Sequence, residues 1–148
     1  DLNALVREVL AMNEHGGYGD FHPMLELEDG LPPVLANRLQ IQKVLLNLLQ
    51  NGIVAMRDAG VPDASIVIRV RSMACRSMAQ LTIEDSGPGL DTETADRIFE
   101  PFFTTKANGV GLGLAISRAI VEAHGGQLWA ELETGPGATF HFTLPFAK

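Results

Sequence analysis

The chain has 148 residues, 46% hydrophobic but only 6% aromatic, and carries a net charge of −7. That length fits one domain with a sizeable core, which the composition makes aliphatic, built from Leu, Ile and Val. A negative chain without a Lys/Arg run is no nucleic-acid surface, the single Cys75 excludes an internal disulfide, and no apolar run reaches membrane-spanning length.

In chain order, Leu2, Leu5, Val6, Val9 and Leu10 recur at helical spacing and predict an opening helix over residues 2–12. The turn-rich "NEHGGYGDFHP" that follows reads as a loop. "MLELE", over 24–28, alternates like an edge strand, and "DGLPP" ends it. A long helix is predicted from Asn37 to Asp58, stopped by Gly60 and Pro62. "SIVIRVRS" sets Ile66, Ile68 and Val70 on one face, and "AQLTIED" sets Leu81, Ile83 and Asp85 on one face. A short helix is expected over 92–98 and another over 111–124, the latter ended by Gly125 and Gly126. "QLWAELE" and "ATFHFTLP" are the closing strands, with Pro145 ending the last. Hairpins are expected at 71–78 and 134–138, and no regular βαβ period is present. The expected class is α+β, a two-layer sandwich of one mixed sheet with helices over one face. Because it opens on Asp1 without Met, the chain is expected to be a piece of something longer, and its composition fits a cytosolic domain.

Three stretches carry more than packing requires. On the long helix, Asn47 and Asn51 stack four residues apart, beside the core direction set by Ile41, Leu45, Leu48 and Met56. Asn lowers helix propensity, so two at the flank of a core point to a use, and carboxamide oxygens are hard ligands suited to hydrated Mg²⁺. Alone, the pair is equally an ordinary half-exposed helix edge. Gly52 points toward the core in mid-helix, so some group is expected to pack close to it.

In "IEDSGPGL", Asp85 ends its strand on the inward face, where a carboxylate must be paired or hydrogen-bonded. Gly87 and Gly89 permit close approach by a flat group, and the carboxylate could accept from an exocyclic amine such as that of adenine. By itself this is also a common strand-capping turn. The third stretch, "FEPFFTTKANGVGLGLAIS", sets Gly109, Gly111 and Gly113 where a loop becomes a helix, a favourable place for an anion. Neither a Walker loop nor a dinucleotide fingerprint is present. Phe99, Phe102 and Phe103 look like the apolar anchors of a flap whose one cation, Lys106, either reaches a phosphate or is solvated.

Together these form an ordered set: the Asn pair, the Asp-x-Gly-x-Gly strand end, the Phe-rich flap, the Gly-rich helix start and then "GPGATF". The set resembles the catalytic ATP-binding domain of sensor histidine kinases, closest to the nitrogen-regulation and oxygen-sensing type, over roughly residues 24–145. The resemblance implies the Bergerat-type fold shared with gyrase, MutL and chaperone ATPases, a mixed sheet of about five strands against about three helices. It implies ATP and Mg²⁺ as cofactors, Asn51 as metal ligand and Asn47 as its catalytic partner one turn earlier. It gives Asp85 the adenine amine, Gly87 and Gly89 the base pocket, and Gly109, Gly111 and Gly113 the phosphates, with Val110, Leu112 and Leu114 among the cofactor-binding residues. Residues 99–110 become a lid over ATP, with Lys106 in a catalytic role, and residues 1–14 the end of a connection from dimerisation helices, leaving 15–148 as the catalytic domain.

This sequence departs from the family pattern at Gly52, where Ala is more frequent, and at Ala138, where several relatives have Thr near the base. None of the four His lies in the His-Glu helix motif that receives phosphate in this family, and His124 reads as a helix-terminus residue. The implied partners are therefore a dimerisation and phosphotransfer domain of the same parent chain and a response-regulator receiver domain, with no nucleic acid and no membrane contact. The localisation implied is cytoplasmic, in a parent that is free to be membrane-anchored. Two other functions compete. An ATP-hydrolysing conformational module would carry a Glu base where this chain has Asn47, and an amide takes no proton. A degenerate scaffold would not keep every nucleotide motif.

Overall fold

The computed structural model describes residues 2–14, 22–58, 65–73, 77–85, 113–131 and 139–146. Helix α1 (Leu2–Glu14), strand β1 (His22–Leu27), helix α2 (Arg38–Asp58) and strands β2 (Ser65–Ser72) and β3 (Met78–Asp85) come first. Helix α3 (Gly113–Ala123) and strands β4 (Leu128–Glu131) and β5 (Thr139–Pro145) complete it. The five strands form one sheet in the order β1-β2-β3-β5-β4. β1 runs parallel to β2 while the other pairs are antiparallel, so the sheet is mixed and β1 is its edge, as its alternation predicts. The expected α+β sandwich is observed, and β2 and β3 form the hairpin expected at 71–78. The expected helix over 92–98 and hairpin at 134–138 lie outside the described residues.

Register decides which face each residue takes. Ile66 opposes Asp85, Ile68 opposes Ile83, and Val70 opposes Leu81, while Leu81 and Ile83 oppose Phe142 and Phe140 on β5. This face is almost wholly apolar and buried, and it forms one core with Ile41, Val44, Leu45, Leu48 and Leu49 of α2. Helix α1 joins the same core through Leu2, Leu5, Val6 and Val9, each contributing about 1.5–3 kcal/mol if fully buried. Asn3 Nδ2 donates to the Glu28 carbonyl at 2.9 Å, and Glu8 pairs with Arg38 at the first turn of α2.

The helix ends are specified locally. Asn37 caps α2, its Oδ1 accepting from the Gln40 N–H at 3.1 Å. At the end of α3, Gly125 N–H donates to the Glu122 carbonyl and Gly126 N–H to that of Val121, a Schellman pair in which Gly125 takes φ +85°.

Candidate functional site

The open face of the sheet is polar, and its side chains bond one another except at Thr139, whose buried Oγ1 has no hydrogen-bond partner among the described residues. Arg69 pairs with Glu26 and, at 2.7 Å, with Glu84. Its guanidinium pKa is raised above the ordinary value, first by the hydrogen bond to Glu84 and then by that to Glu26, so it stays charged. Gln80 Nε2 donates to His141 Nδ1 at 3.2 Å, Thr82 Oγ1 lies 2.8 Å from the same nitrogen, and Trp129 stacks on the ring at 5.2 Å.

The helix-covered face has few polar intruders. Among the described residues, Asp85, 7% exposed, and Ser117, fully buried, are the buried polar groups on that side. Asp85 lies at the last position of β3, and the residue facing it on α2 is Gly52. A Cβ at Gly52 would stand 3.2 Å from Asp85 Oδ2 and 3.3 Å from its Cβ, closer than side chains normally pack. This is the close neighbour that a core-facing glycine in mid-helix predicts. Gly52 brings the carboxylate directly against α2, at the residue that follows Asn51 in the chain.

Asn47 and Asn51 are half-buried, at the edge of the apolar stripe where helical spacing puts them. Asn47 Nδ2 donates to Ser117 Oγ of α3 at 3.1 Å. The two helices pack antiparallel, since the start of α2 meets the end of α3: Asn37 N–H donates to His124 Nε2 at 3.0 Å. Continuing one turn, about 6 Å, in opposite directions from the Asn47–Ser117 contact leads to Asn51 on α2 and Gly113 on α3. The register thus carries Asn51 toward the N-terminus of α3, where backbone N–H groups lack helical partners and the helix dipole is positive. Leu114 is half-buried in the same first turn.

The arrangement therefore converges a buried carboxylate, two carboxamides and a helix N-terminus on one end of the domain. A carboxylate reads a donor, amide oxygens suit a hard cation, and free N–H groups suit an anion. A metal–nucleotide needs that combination, and as a donor set the Asn residues fit magnesium better than a softer metal. Gly87, Gly89, Lys106, Gly109, Val110, Gly111 and Leu112, with the expected lid over 99–110 and Ala138, lie outside the described residues.

Sequence reasoning did not single out Ser117. Its signal is a hydroxyl on the apolar stripe of α3 shared with Leu114 and Val121. His124 occupies the helix terminus as expected, and both of its ring nitrogens are used. Nδ1 faces the Ile120 carbonyl at 2.7 Å and so carries the proton, while Nε2 accepts from Asn37.

Comparison with known proteins matches residues 36–148 to the family described as histidine kinase-, DNA gyrase B- and HSP90-like ATPase. The sensor protein FixL of Bradyrhizobium diazoefficiens is 43% identical over 121 residues, covering 82% of this chain and 23% of its own length. The nucleotide-free catalytic domain of histidine kinase ThkA superposes with a TM-score of 0.82 at 36% identity, over 98% of this chain and 92% of that one. ThkA in complex with the response regulator TrrA gives 0.79 at 33% identity, over 99% and 41% of the two chains. The chain spans about a quarter of the length of the curated relatives it matches.

Proposed function

Because the chain belongs to the histidine kinase-, DNA gyrase B- and HSP90-like ATPase family, we propose that it is the ATP-binding catalytic domain of a sensor histidine kinase. The observation that carries the proposal is Asp85, buried at a strand end against Gly52 of the helix that bears both Asn residues. In this reading Asp85 accepts from the adenine amine, and Gly87 and Gly89 border the base. Asn51 holds Mg²⁺ with Asn47 beside it, and Gly109, Val110, Gly111, Leu112, Gly113 and Leu114 line the triphosphate beneath a lid carrying Lys106. Bound magnesium would neutralise phosphate charge, and the chain's own residues position the γ-phosphate, which is most of phosphoryl-transfer catalysis.

The acceptor is a His on a separate helical domain of the same parent, which in turn supplies a response regulator. Such a regulator is the partner of the similar kinase ThkA. Helix α1 would form the junction with that domain, and ATP supply would place the site in the cytoplasm. Among the described residues, no helix is long and apolar enough to cross a membrane. His124 is committed to the fold through both ring nitrogens, which fits an acceptor lying elsewhere. Asn47 in place of a base disfavours steady hydrolysis.

Calorimetric titration of residues 1–148 should show ATP binding strengthened by Mg²⁺, with that dependence lost in Asn51→Ala. The same chain, incubated with labelled ATP, should gain no acid-labile phosphate. A separately supplied His-bearing helical domain should become labelled. Magnesium-independent binding, or label on this chain alone, would overturn the proposal.

A further inference from the structure

Ser117 is fully buried on the apolar side of α3, and a hydroxyl in that setting is costly unless it is hydrogen-bonded. Asn47 Nδ2, at 3.1 Å, supplies the bond. The contact does more than satisfy a hydroxyl. The two ends of a carboxamide have nearly the same shape but opposite chemistry, the nitrogen donating and the oxygen accepting. Here Nδ2 faces α3 and Oδ1 points away from it, but a hydroxyl accepts and donates alike, so what the bond secures is the approach of the two helices and not the choice of amide end.

The position of the contact adds to this. Asn37 and His124 fasten α2 to α3 at one end, and Asn47 and Ser117 fasten them again one turn before Asn51 and Gly113. The first fastening lies at the far end of the helix pair, whereas the second adjoins the site. Displacement of α3 relative to α2 would change the separation between the groups read as metal ligand and phosphate-binding turn.

We propose that Ser117 is a positioning residue for magnesium-nucleotide binding: through its bond to Asn47 it ties the start of α3 to the Asn-bearing turn of α2 and so sets the separation of Asn51 from Gly113. The proposal rests on the ATP reading of the site. It assigns Ser117 no contact with ATP or metal.

Ser117→Ala should stay folded, because Ala is small and the better helix former. In calorimetric titrations of residues 1–148, this variant should bind Mg-ATP about three- to ten-fold more weakly, the range one neutral hydrogen bond supplies. Binding of ADP in EDTA should change less than about two-fold, since the helix separation matters most where a metal would link Asn51 to the phosphates. In an Asn47→Ala background, Ser117→Ala should cost nothing further, as expected for a residue acting only through Asn47. A readout without nucleotide accompanies these: the Asn47 side-chain NH₂ pair in a ¹H–¹⁵N spectrum should shift in Ser117→Ala. Equal losses for the two nucleotides, a loss undiminished in the Asn47→Ala background, or wild-type affinity with only a lowered Tm would each overturn the proposal. Wild-type protein that binds Mg-ATP no better than metal-free ADP would instead remove the reading beneath it.

Discussion

The two faces of the sheet use polar residues in opposite ways. On the open face Glu26, Arg69, Gln80, Thr82, Glu84 and His141 form a cross-strand set, each bonded to a neighbour. They are numerous, bonded to one another and, except for Thr82, partly solvated, so they hold strands in register. On the helix-covered face an aliphatic core leaves room for few polar groups, and Asp85 stands at one end of it. Ser117, Asn47 and Gly52 gather at that same end. Polar residues are cheap on the first face and costly on the second, so a rare one on the second is the better pointer to chemistry.

The largest effect expected from this contrast is at Asp85. Asp85→Asn keeps the shape of the side chain but replaces an acceptor oxygen with a donor, which mispairs with an amine. Nucleotide binding should weaken by about 2 kcal/mol or more, roughly thirty-fold, while the protein remains folded. Calorimetry alongside a thermal melt measures both quantities. Unchanged affinity would remove Asp85 from the site and erase the contrast between the faces.

The adjacent position on the same strand sharpens the comparison, because Glu84 points to the open face and bonds Arg69. Arg69→Met would leave Glu26 and Glu84 without the cation between them. The pair groups are about a third to a half exposed, so the cost in stability should be about 1 kcal/mol or less and should shrink in high salt. ATP affinity should stay within about two-fold of wild type, although the ion pair is one residue from Asp85. A larger loss of affinity would mean the open face participates in binding.

Sequence periodicity sufficed for the faces and not for the pairings. Alternation in "SIVIRVRS" and "AQLTIED" already puts Ile66, Ile83 and Asp85 inward, because a strand's period of two leaves no other choice once one face is apolar. The Asn47–Asn51 stack was equally legible, being a property of one helix. The contacts between elements were not. Asn47 with Ser117 joins residues 70 apart in sequence, and Asn37 with His124 joins residues 87 apart. No local spacing encodes which turn of α3 lies against which turn of α2. That register comes from the packing of Val44, Leu48, Val121 and their neighbours in a shared core. Gly52 is intermediate: a glycine facing the core announces a close neighbour, but only the fold identifies the neighbour as Asp85.

The smallest effect on stability is expected at that glycine. Two terms oppose each other in Gly52→Ala. A mid-helix glycine costs about 1 kcal/mol relative to alanine, so the helix itself should gain. The new methyl would meet Asp85 Oδ2 at 3.2 Å and Cβ at 3.3 Å, and since Cβ belongs to the strand, side-chain rotation alone does not relieve the contact. The end of β3 must give by a few tenths of an ångström. The outcome should be a Tm equal to or slightly above wild type, together with ATP affinity about two- to three-fold weaker as Asp85 moves from its place. If the variant gains the full helix benefit and keeps wild-type affinity, the close approach of Gly52 to Asp85 is packing without consequence for binding. If instead it loses stability, the strand end is more rigid than its place at the edge of the core implies.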